Sequence, residues 1–274
     1  MSTETASSNL TARPLEHLQV ILNPYGTLNC DRFIFPDISA TPDPTPPARP
    51  VLSKDVPINP SHTTWARIFL PHHHARSCSE EKLPLEYIAR HRLPMVYDDA
   101  VEALHWVKTG PDKWLANHAD LSMCYLMGTN AGGNVAFHGG LRASALHEDL
   151  KPLVNNQTLP LAARDFMWEL SLPIGVNRDH EYCNPVVDGG SKLSEGVDKM
   201  KLLGWRLLVT GCNGDLLIDR QVELAKLLKE KGVSVVSDFA EGGFHGIDLL
   251  EPDKSKLLVQ TLKISCRRRS HVRS

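Results

Sequence analysis

An α/β fold, a mostly parallel central sheet with helices on both faces, is what this sequence predicts, and three observations predict it. Residues 205–211, Trp205-Arg206-Leu207-Leu208-Val209-Thr210-Gly211, and residues 233–239, Val233-Ser234-Val235-Val236-Ser237-Asp238-Phe239, have the length and apolar content of buried parallel strands. Between them runs a segment with helical periodicity: Val222, Ala225 and Leu228 share one face, Lys226, Lys229 and Glu230 lie elsewhere, and Gly232 stands at the stop position. Upstream, the short apolar run Cys124-Tyr125-Leu126-Met127 leads through the glycine-rich stretch Gly128-Thr129-Asn130-Ala131-Gly132-Gly133-Asn134 into a helix with small or apolar groups on one face, Val135, Ala136, Gly139 and Ala143.

In chain order, residues 18–22 and 27–33, joined by Asn23-Pro24-Tyr25-Gly26, read as an edge hairpin. Residues 36–50 are proline-rich and aperiodic, an extended loop. His72-His73-His74 has no helical spacing to support zinc and sits among polar residues, so it reads as a solvated loop. Asp165, Trp168 and Leu172 fall at helical spacing, and Trp168 suits either a pocket wall or the core.

The glycine-rich stretch carries the chemistry. A strand, a tight turn of small residues and a helix form a nucleophile elbow, whose central side chain projects from the top of a parallel sheet. Its central residue is Asn130. Two later loops follow strand ends, the place where open α/β sheets hold ligands. One is Cys212-Asn213-Gly214-Asp215; the other, Glu241-Gly242-Gly243-Phe244-His245. Nucleophile position, acid and histidine thus occur in the chain order of an α/β-hydrolase triad.

The chain resembles the plant carboxylesterases of the hormone-sensitive-lipase-like group of α/β-hydrolases, which also includes gibberellin receptors. The matching stretches are Ser53-Lys54-Asp55-Val56-Pro57, Trp65-Ala66-Arg67-Ile68-Phe69, His91-Arg92-Leu93-Pro94 with Tyr97-Asp98-Asp99-Ala100, the elbow, Leu172-Pro173-Ile174-Gly175, Cys183-Asn184-Pro185, Gly214-Asp215 and Gly243-Phe244-His245. The resemblance implies an α/β-hydrolase fold over residues 1–274 as one domain, with residues 1–50 forming a cap segment, edge hairpin and proline-rich loop. It implies ester hydrolysis, with Asp215 as triad acid, His245 as general base and the backbone of Ala131 and Gly132 at the oxyanion. Asp219 is the other aspartate nearby, and a first-turn charge is its better reading.

Two departures weigh against activity. Asparagine has no ionisable proton for His245 to remove, and loss of a triad nucleophile costs on the order of 10⁶ in turnover. The family's His-Gly-Gly oxyanion loop is absent: Lys82-Leu83-Pro84-Leu85 runs directly into Glu86-Tyr87. A second join, Pro152-Leu153, replaces a further strand. The sheet is therefore expected to lack one or two central strands, and the protein to be an impaired carboxylesterase. The alternatives are a non-catalytic binder of a small ester or hormone-like ligand, or a truncated remnant without function. The gibberellin receptors keep the serine and lose the histidine, the reverse of this chain.

Composition is that of a globular protein: 274 residues, 42% hydrophobic, 23% charged, net charge −2. The short terminal run Arg267-Arg268-Arg269 does not make a nucleic-acid surface, and no stretch approaches a membrane span. The six cysteines show no C-x-x-C spacing and read as reduced thiols; with the polar N-terminus this makes the cytoplasm the expected location, and the nucleus a second one. No cofactor and no metal are expected, and the oligomeric state is open.

Overall fold

The computed structural model describes residues 39–43, 51–71, 93–110, 112–121, 124–146, 168 and 171–267. The edge hairpin at 18–33, the cap segment, the triple histidine, both joins and Asp165 lie outside them; of the proline-rich loop, residues 39–43 are described and carry no regular structure.

The first described element is an antiparallel hairpin, β1 (Val51–Asn59) and β2 (Thr64–Pro71). Asp55 pairs opposite Arg67, whose guanidinium donates to both carboxylate oxygens at 2.6 and 2.8 Å. Asn59 shapes the turn: its Oδ1 accepts the Ser61 N–H at 2.9 Å, and its own N–H donates to Thr64 Oγ1 at 3.1 Å. Helix α1 (Met95–Thr109) begins after Pro94 and ends at Gly110 in the left-handed region, φ 59°. The short α2 (Lys113–His118) is capped by Asp112, which accepts the Trp114 N–H at 2.8 Å.

Helix α3 (Ala131–Leu146) follows the elbow, and Val135, Ala136, Gly139 and Ala143 are all buried, as their small size and spacing predict. After a 3₁₀ turn (Val187–Leu193) come α4 (Ser194–Leu202), β3 (Arg206–Cys212), α5 (Ile218–Glu230), β4 (Ser234–Ala240), α6 (Ile247–Leu250) and α7 (Pro252–Arg267). The two strands read from sequence are β3 and β4, shifted by one residue and paired in parallel from Arg206 opposite Ser234 to Cys212 opposite Ala240. The intervening helix, α5, crosses between them and Gly232, at φ 84°, stops it. Its inward face is Gln221, Ala225 and Leu228. Val222, expected on that face, is 43% exposed, because the buried stripe lies one residue earlier and Gln221 fills the place beside Gly211.

The main core is where α3, α4, β3 and α5 meet, around Phe137, Leu141, Val197, Met200, Trp205, Leu207 and Leu228. A second cluster joins α1 to α3 through Leu93, Val96, Tyr97 and Val135, and Trp168 packs against it, which is the core alternative for that residue.

Among the described residues the strands form two separate pairs, β1–β2 and β3–β4. Residues 124–127, expected to be a buried strand, have no ladder partner among the described residues, and Met127 is 45% exposed. A strand exists only as part of a hydrogen-bonded ladder. The apolar run is there, but no described strand lies beside it. Among the described residues no helix is long and apolar enough to cross a membrane.

Candidate active site

The elbow turns as its sequence requires. Asn130 has φ 57°, a left-handed backbone that few non-glycine residues adopt, and it sits directly before the first residue of α3. A Cβ on Gly128 would lie 2.2 Å from the Gly132 carbonyl carbon, so only glycine lets the incoming chain pass this close to the helix. The Asn134 N–H donates to the Asn130 carbonyl at 3.2 Å, closing the first helical turn. The Gly132 N–H donates to the Thr129 carbonyl at 3.0 Å and so holds the turn itself. The N–H of Ala131, at the start of the helix, has no intrahelical acceptor.

Asn134, the last residue of the motif, ties the elbow helix to its surroundings. Its Oδ1 accepts the Tyr97 hydroxyl at 2.6 Å and its Nδ2 donates to the Tyr182 carbonyl at 2.8 Å. Tyr97 also stacks on His138, ring centroids 4.9 Å apart.

Asp215 and His245 meet, although 30 residues separate them: Nδ1 of His245 lies 2.9 Å from Asp215 Oδ2. A carboxylate can only accept, so Nδ1 carries the proton and Nε2 the lone pair. The other carboxylate oxygen accepts the Leu217 N–H at 2.8 Å, fixing the acid from two sides. Both side chains are buried, at 7% and 0% exposure. Burial pushes the imidazole pKa down and favours the neutral ring a general base needs. The Asp215 carboxylate, 2.9 Å away, holds the ring's orientation and tautomer. Asp219 lies in the first turn of α5, as its charge suits.

The loops that deliver this pair are clamped together by groups to which the sequence assigned no role of their own. Asn213 Oδ1 accepts the Gly242 N–H at 2.5 Å, and its Nδ2 donates to Glu241. The Gly214 N–H donates to the Gly242 carbonyl at 3.4 Å, and a Cβ on Gly214 would lie 1.9 Å from the Gly243 carbonyl oxygen. A polar residue between a buried strand and its acid is the one signal that could have pointed to Asn213. Among the described residues no hydrogen bond joins the Asn130 side chain to the Asp215–His245 pair.

A family model described as alpha/beta hydrolase fold matches residues 89–160 and 147–249. The chain belongs to this α/β-hydrolase family. Carboxylesterase 20 of Arabidopsis thaliana is 37% identical, over 92% of this chain and 96% of that protein. The alignment spans 317 positions, whereas 92% of 274 residues is about 252, so about 65 positions of the alignment have no counterpart here. The family match itself comes in two pieces, which overlap at residues 147–160, the stretch that contains the second join. The gibberellin receptor GID1B of Arabidopsis thaliana is 33% identical over 53% of this chain, which spans 44% of the receptor. A fungal esterase structure from Rhizomucor miehei superposes with a TM-score of 0.54 at 16% identity, covering 65% of this chain and 61% of that one. It shares the α/β-hydrolase fold. Within that fold the described residues hold the elbow and the loops after β3 and β4.

Proposed function

We propose that this chain is a carboxylesterase-type hydrolase that retains the acid–base half of its catalytic machinery and has lost ester turnover. The observation that carries this reading is Asn130 at the apex of a well-formed elbow, φ 57°, in a chain whose Asp215 and His245 remain hydrogen-bonded at 2.9 Å. In the ancestral reaction a hydroxyl at the apex would attack an acyl carbon as His245 Nε2 took its proton, and Asp215 would hold the imidazolium. An amide at that place gives His245 no proton to remove. The Ala131 N–H would be one oxyanion donor where family members add a loop of others, and each lost donor costs about 10² to 10³ in rate. The substrates this site descends from are small carboxylic esters.

Hydrolysis of p-nitrophenyl acetate tests the reading. The purified protein is expected to match the buffer rate, and His245→Ala to change nothing. Turnover above buffer that disappears in His245→Ala would overturn the loss of activity.

The likeness to a gibberellin receptor supports a second reading, a pocket that binds a small carboxylic ester or hormone-like acid without turning it over. Thermal unfolding with gibberellin and with phenyl esters tests it. A saturable rise in Tm supports binding, and none with any of these ligands rejects it.

A further inference from the structure

Away from the elbow, three side chains from two elements converge on one point. His62 lies in the turn between β1 and β2, and Asp99 and Glu102 are three residues apart on one face of α1. One ligand atom from each, an imidazole nitrogen and two carboxylate oxygens, lies within 4.8 Å of the others. We propose that His62, Asp99 and Glu102 bind one divalent transition-metal ion, and that the ion clips the β1–β2 hairpin to α1.

The donor set is the first argument. Two carboxylates on a helix face are ordinary surface chemistry; an imidazole presented to them from another element is a mixed N,O set, suited to zinc and its neighbours rather than to calcium or magnesium. The second is distance. His62 Nδ1 stands 3.9 Å from Asp99 Oδ1, too far for a hydrogen bond. Two ligands of one tetrahedral ion with bonds of about 2.0–2.2 Å lie about 3.4 Å apart, so the pair must close by about half an ångström. His62 is 63% exposed and free to make that adjustment, whereas Asp99, at 12%, is held.

The third is the group behind the ligands. Asn59 Oδ1 is fixed by the Ser61 N–H, which directs Nδ2 to donate to Glu102 Oε1 at 2.7 Å; the same nitrogen lies 3.5 Å from His62 Nδ1. Such an outer hydrogen bond orients a ligating carboxylate and holds it toward the imidazole. The site also has a structural purpose. The hairpin shares no ladder with β3–β4 among the described residues, so it is joined to α1 and its neighbourhood by side chains. An ion at this point would supply a cross-link between two elements that the sheet does not connect.

Calorimetric titration of zinc chloride into the full chain tests the proposal, with circular dichroism on every variant to confirm folding. One ion is expected to bind with a Kd in the micromolar range, and His62→Ala and Glu102→Gln each to weaken it at least about tenfold. Zinc should raise the Tm of the unmodified protein and not that of either variant. A protein in which His72, His73 and His74 are all alanine should bind as before. Absence of binding up to about 1 mM zinc, unchanged affinity in both His62→Ala and Glu102→Gln, or loss of binding in the triple-histidine variant would each overturn it.

Discussion

At position 130 serine and asparagine differ in backbone preference as well as in chemistry. The apex needs φ near +57°, and asparagine enters the left-handed region more readily than any other non-glycine residue apart from aspartate and histidine. The replacement therefore keeps the turn while discarding the nucleophile, and Asn130→Ser is expected to shift stability by no more than about 1 kcal/mol in chemical denaturation. Gly214→Ala should behave differently: its Cβ would meet a backbone oxygen at 1.9 Å, and backbone cannot rotate away. A loss of about 3 kcal/mol in urea unfolding is expected.

His138 makes a third prediction at this scale. It is buried, stacked on Tyr97 and edge-on to Phe137 and Tyr182, and burial, with lesser contributions from Arg142 and His180, lowers its pKa to about 3. The unfolded chain binds the proton near the ordinary 6.5 and the folded chain does not. Stability is thus complete above pH 6.5 and falls as pH drops toward 3. Between pH 7 and 4.5 the loss amounts to roughly 3 kcal/mol. Unfolding free energies from urea titrations at the two pH values should differ less in His138→Phe than in the unmodified protein by about that amount. Nothing in the sequence marks this histidine, because its neutrality comes from rings on α1 and on the chain near Tyr182, far away in order. Asn130 and His245, by contrast, were legible because each lies inside a local motif whose geometry is set by adjacent glycines.

Elements that carry their own stabilisation were legible, and those that depend on partners distant in the chain were not. Strands β3 and β4 and helix α5 form one crossover unit of consecutive sequence, so periodicity and a terminal glycine were enough to find all three. Residues 124–127 have the same apolar character, yet a strand needs partners and no described strand flanks them. The β1–β2 hairpin shows the reverse: its alternation is weak, and its register rests on the Asp55–Arg67 pair and the Asn59 turn. Helix α2, six residues long, has no buried residue and relies on its cap. Asp112 accepts the Trp114 N–H and also Lys54 Nζ at 2.7 Å, while the same ammonium lies 4.6 Å from the Trp114 ring centroid. Asp112→Ala should cost about 1–2 kcal/mol by thermal denaturation, and Asp112→Asn, which keeps the cap, less than half of that.

For the molecule as a whole, the decisive fact is the set of about 65 aligned positions of Carboxylesterase 20 without a counterpart here. Ile174 and Leu202, 88% and 79% exposed, are among the apolar side chains this chain leaves on its surface. Insertion of the relative's segments at Leu85–Glu86 and Pro152–Leu153 is expected to raise Tm and to reduce binding of a hydrophobic dye, since added strands would give residues 124–127 their ladder. The central claim, that the retained Asp215–His245 pair still serves position 130, is tested most directly by fluorophosphonate labelling read by intact mass. The account predicts no adduct on the unmodified protein, one adduct on Asn130→Ser, and none when His245→Ala is added to it. An unlabelled Asn130→Ser protein, or one labelled equally fast without His245, would contradict it.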